Sequence, residues 1–453
     1  MASRPNILFV LVDQLGARWL PMYGHPIVRT PHLDRFAAES TVFERAITTS
    51  PICTPYRGCL LSGRYPSQTG ILSNGQSYPA DVPSLADQLN VAGYTTRYIG
   101  KWHLSGAPQE NRWAPPNQRA GFQHFIGWES HHIDHHAGLI WRDDPNEPIE
   151  MPGHETDALT DIALHELTHA ANDPNPFFML LSYQAPHPPC APPPEFLELY
   201  RDHDLCIEAN ADGAAWYDMP NWNADYDAAT FRRLYFGEIS HLDAAFGRLL
   251  RRLDELNLRE NTLVVFTSDH GEMAGAHGMF GKGVMFEESL HVPLIARAPA
   301  QATGRRTSQL AATLDLMPTL LDYAGVDPPQ AAEGDSLRGQ IERDDAIHDR
   351  IVISEYQNFC ATSQSWKLVT EGRTLKPAAL YDIGNDPYEL DNRLDARDCG
   401  GIQATLQTAL SDWRAHVLDP SRTDAIELRA NESEKPWQQV SSWTRAAYFP
   451  IWR

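Results

Sequence analysis

The chain has 453 residues, 42% of them hydrophobic and 21% charged. That is the make-up of a globular protein with ample material for buried sheet, and at roughly 150 residues per domain it holds two or three units. Its 37 Lys and Arg against 59 Asp and Glu leave a formal charge of -22, which repels nucleic-acid backbones and anionic membranes and argues against both as partners.

In chain order, apolar runs rich in β-branched residues alternate with helix-period stretches. The runs predict strands over 7–12, 95–99, 177–183, 263–267 and 292–296, with helices over 84–92, 157–171, 231–256 and 312–324. This is the pattern of an α/β fold with a large, mostly parallel sheet sandwiched by helices. The first run is too short for a signal-peptide core, and Asp13 interrupts it without a small-residue cleavage site. No stretch approaches the roughly 18 apolar residues of a membrane span. Cys53, Cys59, Cys190, Cys206, Cys360 and Cys399 form no CxxC pair and no regular spacing, so the expected location is a reducing cytoplasm, without a disulfide framework.

After about residue 344 the character changes. Short extended pieces at 351–355, 366–370 and 379–382, then a helical stretch over 402–417, predict a smaller C-terminal antiparallel-sheet subdomain with a helix against it. The expected division is a main unit over 1–344 and this subdomain over 345–453. An aromatic tail (Trp437, Trp443, Tyr448, Phe449, Trp452) ends the chain; it is either the interface of a homo-oligomer or a cover for its own core.

In open sheets of this kind ligands collect at the carboxyl ends of the strands. Asp13 and Gln14 follow the first predicted strand, Lys101 and His103 the second, His187 the third, and Asp269 and His270 the fourth. Lys101 and His103 alternate on an extended segment and are expected to face one side while Trp102 packs away. Asp13-Gln14 and Asp269-His270 offer two pairs of metal ligands on strands expected to be adjacent. Their oxygens suit Ca²⁺, whereas an imidazole at 270 moves the preference toward Mn²⁺. Arg57, Lys101 and Lys282 read, against the overall acidity, as a local pocket for an anion.

Residues 51–64 read Pro-Ile-Cys-Thr-Pro-Tyr-Arg-Gly-Cys-Leu-Leu-Ser-Gly-Arg. The frame Cys53-x-Pro55-x-Arg57 resembles the maturation site of the formylglycine-dependent sulfatases. Gly-Tyr-Thr-Thr-Arg-Tyr-Ile-Gly-Lys-Trp-His at 93–103 resembles their second signature, and Leu-Tyr-Asp-Ile-Gly-Asn-Asp-Pro-Tyr-Glu at 380–389 resembles a stretch of their C-terminal subdomain. The resemblance runs from residue 5 to about 395 and implies an alkaline phosphatase-like fold with its catalytic unit over 1–344.

For the site, the resemblance implies that a formylglycine-generating enzyme oxidises Cys53 to an aldehyde whose hydrate attacks sulfur. One divalent cation, Ca²⁺ or alternatively Mn²⁺, would lie among Asp13, Gln14, residue 53, Asp269 and His270. Lys101 would bind a sulfate oxygen, and His103 would deprotonate the remaining hydroxyl. His187 and Lys282 would contact the ester, one of them protonating the leaving oxygen. Arg57 shares a helix face with residue 53 if the segment opens a helix, and would hold the diol.

The reaction implied is hydrolysis of an aryl, sugar or small-alcohol sulfate monoester through a covalent sulfo-enzyme intermediate, with release of inorganic sulfate. Gln14 and His270 depart from the commonest family pattern and resemble choline sulfatases and phosphonate monoester hydrolases. A phosphonate monoester or phosphodiester is therefore the alternative substrate, against which Lys101 argues because those hydrolases tend to lack it. Asn74 matches an asparagine that contacts substrate in these relatives, although Asn-Gly is also a turn signal. Tyr56 and Ser62 are mild departures from the signature.

Two further features compete for attention. His165-Glu166-Leu167-Thr168-His169 fits the HExxH pattern of zinc metalloproteases, but the extended form of that motif would need glycine and histidine where Asn172 and Asn175 stand. His131-His132-Ile133-Asp134-His135-His136 reads as a cleft wall, a second metal site without a firm ligand set, or a solvated loop.

Overall fold

In the computed structural model, residues 4–106, 113–129, 132–211, 216–219, 224–343 and 350–417 are described. Their organising element is a nine-stranded sheet. Five strands, Thr262–Ser268, Asn6–Val12, Phe177–Ser182, Thr95–Lys101 and His124–Trp128, lie side by side and parallel. Beyond Thr262–Ser268 the sheet turns antiparallel through Leu294–Arg297, Thr41–Ile47 and His291–Val292, while Arg305–Ala312 pairs parallel with Thr41–Ile47.

Alternation along Asn6–Val12 explains why this strand is central. Ile7, Phe9 and Leu11 point into one apolar layer, with Leu60, Leu85, Leu89 and Leu320. Leu8, Val10 and Val12 point into the other, with Leu159, Phe236 and Leu242. A strand buried on both faces must be apolar at every position, which is what a continuous run encodes. The helices Leu85–Val91 and Leu316–Ala324 cover the first face, and Glu155–Ala170 and Ala228–Glu255 cover the second.

The predicted strand at 292–296 is two short strands, His291–Val292 and Leu294–Arg297, separated by Pro293, which has no N–H to give a ladder. Three strands of the main sheet lacked a clear signal. Thr41–Ile47 carries Glu44 and Arg45 in its middle, His124–Trp128 is only five residues long, and Arg305–Ala312 begins with two arginines. Among the described residues no helix is long and apolar enough to cross a membrane. The aromatic tail lies outside the described residues, as does the 344–345 boundary.

The C-terminal antiparallel sheet has four strands, Val352–Glu355, Phe359–Thr362, Trp366–Thr370 and Pro377–Asp382. The helix Gly400–Val417 packs Leu406, Leu410 and Trp413 with Ile353, Phe359, Leu368 and Leu380 of the sheet. The other face shares an apolar cluster with Ile47, Met285 and Leu290 of the main body.

A buried ion cluster spans this junction. Lys367 Nζ lies 3.0 Å from Glu287 and 2.5 Å from Glu389, Glu287 N donates to Glu389 at 2.7 Å, and Arg45 reaches Glu287 at 3.1 Å. Burial opposes ionisation of both carboxylates, but Arg45 and Lys367 hold Glu287 well below the usual range. Burial pushes Glu389 up to about 7 despite Lys367, with Glu287 adding repulsion.

Removing the shared cation leaves two carboxylates buried together, so Lys367→Met should lower the unfolding free energy by about 3–5 kcal/mol in denaturant titrations. The folded chain binds the Glu389 proton more tightly than the unfolded chain does. That contribution to stability is complete below about pH 4.5 and is lost as pH rises through about 7. Glu389→Gln should flatten this part of the stability curve, as read from unfolding midpoints across pH.

Candidate active site

Parallel register builds the first part of the site. Val12 pairs with Ser268 at the end of two adjacent strands, so the next residues, Asp13 and Asp269, emerge side by side. Asp269 N donates to the Val12 carbonyl at 3.3 Å, and Gln14 N to Asp269 Oδ1 at 2.9 Å, locking the two loops together. Lys101 ends the strand two places away, and its Nζ, fully buried, lies 2.6 Å from Asp13 Oδ2. Gly100 is required just before it, since a Cβ there would meet the Ser182 carbonyl at 2.0 Å and φ is +104°.

The second part comes from a helix. Cys53–Ser62 is buried at every residue, and Cys53 is its first. Cys53 Sγ lies 3.2 Å from His270 Nε2 and 3.7 Å from Asp13 Oδ1. Arg57 stands one turn on, as the spacing predicts. Its guanidinium bonds Tyr98, the Lys101 carbonyl and Ser182, and sits 3.3 Å from Asp13 and 3.9 Å from Asp269. It thus braces the pocket floor across the ends of four strands.

His187 and Lys282 meet on the far side. His187 Nδ1 donates to the Pro188 carbonyl at 2.5 Å, which leaves Nε2 to accept from Lys282 Nζ at 2.7 Å. Lys282 also donates to Gln14 Oε1, and Gln14 Nε2 in turn donates to Glu272. Glu272, fully buried and holding Ala274 N and Gly281 N besides, is a residue that sequence reasoning missed. Its signal was its place two residues after His270, and it fixes which end of the Gln14 amide faces the pocket.

The structure adds detail at four of these positions. The strand ends at Lys101, and His103, buried, has a left-handed backbone (φ 59°), so strand alternation does not set its direction. Asn74 Oδ1 accepts from Thr54 N at 3.0 Å, satisfying an early N–H of the Cys53 helix. Tyr56 is fully buried and belongs to the core layer beneath the sheet, and Ser62 Oγ bonds the Gly58 carbonyl at 2.7 Å. In the HExxH segment Glu166 is tied to Arg97 and Arg142, while His165 and His169 face each other 3.1 Å apart on an exposed face. His131 lies outside the described residues.

The electrostatics of the pocket are those of a cation site inside an anion site. Burial would raise Asp13, yet Lys101 first and then Lys282 and His270 hold it well below the usual carboxylate range. Burial and the Asp13 charge push Asp269 up. Burial and Asp13 oppose a thiolate at Cys53, but Lys282, Lys101 and His270 outweigh them and lower its pKa. Burial and Lys282 drive His187 well below its ordinary value, so its ring is neutral.

One donor atom each from Asp13, Cys53, Asp269 and His270 falls within 4.8 Å of the others. Asp269 Oδ2 is buried without a hydrogen bond. His270 Nδ1 donates to the Gly271 carbonyl at 3.1 Å, turning the Nε2 lone pair toward the carboxylates. Two adjacent carboxylates, an orphaned oxygen and a correctly oriented imidazole fit a divalent cation.

A sheet of this topology with a ligand rim at its strand ends is the alkaline phosphatase-like architecture. The sulfatase family model matches residues 5–326, and that of the N-sulphoglucosamine sulphohydrolase C-terminal region matches residues 275–416. The chain is 31% identical over 434 residues to an ulvan-active sulfatase of Formosa agariphila, covering 92% of this chain and 82% of that protein. It is 30% identical to a choline-sulfatase of Rhizobium meliloti, covering 99% and 93%. Among solved structures it is similar to the putative sulfatase yidJ from Bacteroides fragilis (TM-score 0.83, 26% identity, 92% of this chain and 97% of that one). It is also similar to BT4656 in complex with its substrate D-glucosamine-2-N,6-O-disulfate (TM-score 0.80, 25% identity, 93% and 100%). The chain belongs to the sulfatase family and is a sulfuric ester hydrolase.

If Asn74 acts through the helix, Asn74→Ala should destabilise the protein by about 1 kcal/mol while Asn74→Asp, which keeps an acceptor, retains most of the stability. Thermal unfolding of both variants checks this.

Proposed function

We propose that the mature protein carries formylglycine at position 53 and hydrolyses a sulfate monoester through a covalent sulfo-enzyme intermediate. The observation that carries the reading is the seat of residue 53. It opens a buried helix, where backbone N–H groups favour an anion, and lies within reach of Asp13 and His270 on one side of a pocket lined by Lys101 and Lys282.

Each chemical task has a residue. One hydroxyl of the aldehyde hydrate at 53 attacks sulfur and the ester S–O bond breaks, while Lys101 and Lys282 neutralise the sulfuryl oxygens. Lys282 bears the proton in its contact with His187, because the neutral imidazole accepts from it. We therefore give Lys282 the role of acid toward the leaving oxygen, with His187 holding the ammonium in line. His103 takes the proton of the second hydroxyl; the carbonyl then reforms, the bond to sulfate breaks, and water rehydrates the aldehyde. Asp13, Asp269, His270 and the oxygen of residue 53 would hold a divalent cation, with Gln14 beside them. Such an ion, once bound, would lower the pKa of the hydrate and polarise a sulfuryl oxygen. The imidazole favours Mn²⁺ over Ca²⁺ in this set.

The relatives act on ulvan, choline sulfate and a disulfated glucosamine by name, so we extend to this chain a sulfated sugar or small-alcohol sulfate as substrate. The catalytic unit is proposed as 1–344, with 345–453 buttressing it through the Lys367 cluster.

Sulfate release should be measured on sulfated sugars, choline sulfate, an aryl sulfate and an aryl phosphonate. Faster turnover of a sulfate is expected, and a strong preference for the phosphonate would overturn the assignment. Cys53→Ser should lose activity by at least about 10³-fold, since serine has no second hydroxyl with which to expel sulfate. A chelator should abolish activity, with Mn²⁺ restoring at least as much as Ca²⁺.

A further inference from the structure

A second buried cluster sits beside the loop that carries His187. His135, from the histidine-rich segment, is 3% exposed and His154 is 4%, while Glu155 and Glu238 are fully buried. His154 and Glu155 begin the helix Glu155–Ala170, and Glu238 comes from the middle of Ala228–Glu255. Donor atoms of His135, His154 and Glu238 lie within 4.8 Å of one another. His135 Nδ1 is 3.5 Å from Glu155 Oε1, and His154 Nε2 is 3.5 Å from Glu238 Oε1. Neither nitrogen has a hydrogen-bond partner, nor do both oxygens of Glu155 or Oε2 of Glu238.

Buried polar atoms are ordinarily hydrogen-bonded, so the unpartnered atoms of His135, His154 and Glu238, three residues whose donor atoms lie together, call for a common partner, with Glu155 adjoining at His135. Ligand atoms about 2.0–2.1 Å from a tetrahedral Zn²⁺ stand about 3.3 Å apart, close to the 3.5 Å between His135 Nδ1 and Glu155 Oε1. The remaining polar atoms are committed outward: His135 Nε2 donates to the Pro189 carbonyl at 2.9 Å and Glu238 Oε1 accepts from Ala191 N at 2.8 Å. Such outer bonds orient a ligand toward its metal.

We propose that His135 Nδ1, His154 Nε2, Glu238 and Glu155 form a second, structural site for a zinc-like divalent ion. Two neutral imidazoles and two carboxylates would balance its charge. Binding through His154 Nε2 shifts that ring's hydrogen to Nδ1 and gives up its 3.2 Å contact from Thr156 N. A hydrogen bond of about 1 kcal/mol is small beside the roughly 10–16 kcal/mol of structural zinc sites. Without an ion a proton takes its place: burial disfavours the charge, yet Glu238 and Glu155 push His135 up to about 9. The ion would clamp residues 189–191, and through them His187, to both helices. Its site shares no residue with the carboxylate site at residue 53, so its presence or absence leaves the sulfatase reading untouched.

The test is Zn²⁺ binding by the full-length protein, first freed of metal and then titrated against a chromogenic chelator. An Asp269→Asn background disables the first site. About one equivalent should bind, with Co²⁺ in its place giving the visible bands of a four-coordinate ion. Adding His135→Asn or, separately, Glu238→Gln should weaken Zn²⁺ by about 100-fold or more, with far-ultraviolet dichroism reporting that each variant is folded. No tight equivalent in the folded Asp269→Asn protein, or an affinity unchanged by both added substitutions, would overturn the proposal in favour of a proton-held network.

Discussion

Two like charges forced together organise this molecule. Adjacent parallel strands end in register at Val12 and Ser268, so the chain must place Asp13 and Asp269 side by side in a fully buried rim. Left alone, such a pair would expel a proton only from one member, and their opposite shifts show that conflict. Everything else in the pocket answers it. Lys101 comes from a third strand, Arg57 from the buried helix and Lys282 from the segment after Asp269. A divalent ion would complete the neutralisation.

The same arrangement explains why the nucleophile position stands where it does. A residue opening a helix is exposed to the positive end of the backbone dipoles, and here Lys101, Lys282 and His270 add their charge at Cys53. Asn74 reaches across to the early N–H of Thr54. Glu272 holds the Gln14 amide, which receives Lys282, which in turn holds the neutral His187 ring. Orientation thus passes through a chain of buried polar contacts, each fixing the next.

Much of this was legible in the residues. Central strands are apolar at every position, so they announced themselves as continuous runs, and the residues just beyond them carried the chemistry. Strands at the antiparallel end were less visible because Thr41–Ile47 carries Glu44 and Arg45 and Arg305–Ala312 opens with two arginines. Alternation does not set the direction of His103, because the strand ends at Lys101 and His103 has a positive φ. The roles of Glu272 and Asn74 depend on loops folding back, which no local pattern encodes. The histidine-rich segment announced a cluster, but its partners His154, Glu155 and Glu238 come from two helices distant in sequence.

The central claim is that residue 53 and the carboxylates of 13 and 269 share one cation. Anomalous diffraction from crystals of the protein matured in its native host tests it most directly. The account predicts a single strong peak within about 2.0–2.6 Å of Asp13, Asp269, His270 and an oxygen on residue 53. No peak at this pocket, or carboxylates bridged only by Lys101 and Arg57 with residue 53 turned away, would contradict it.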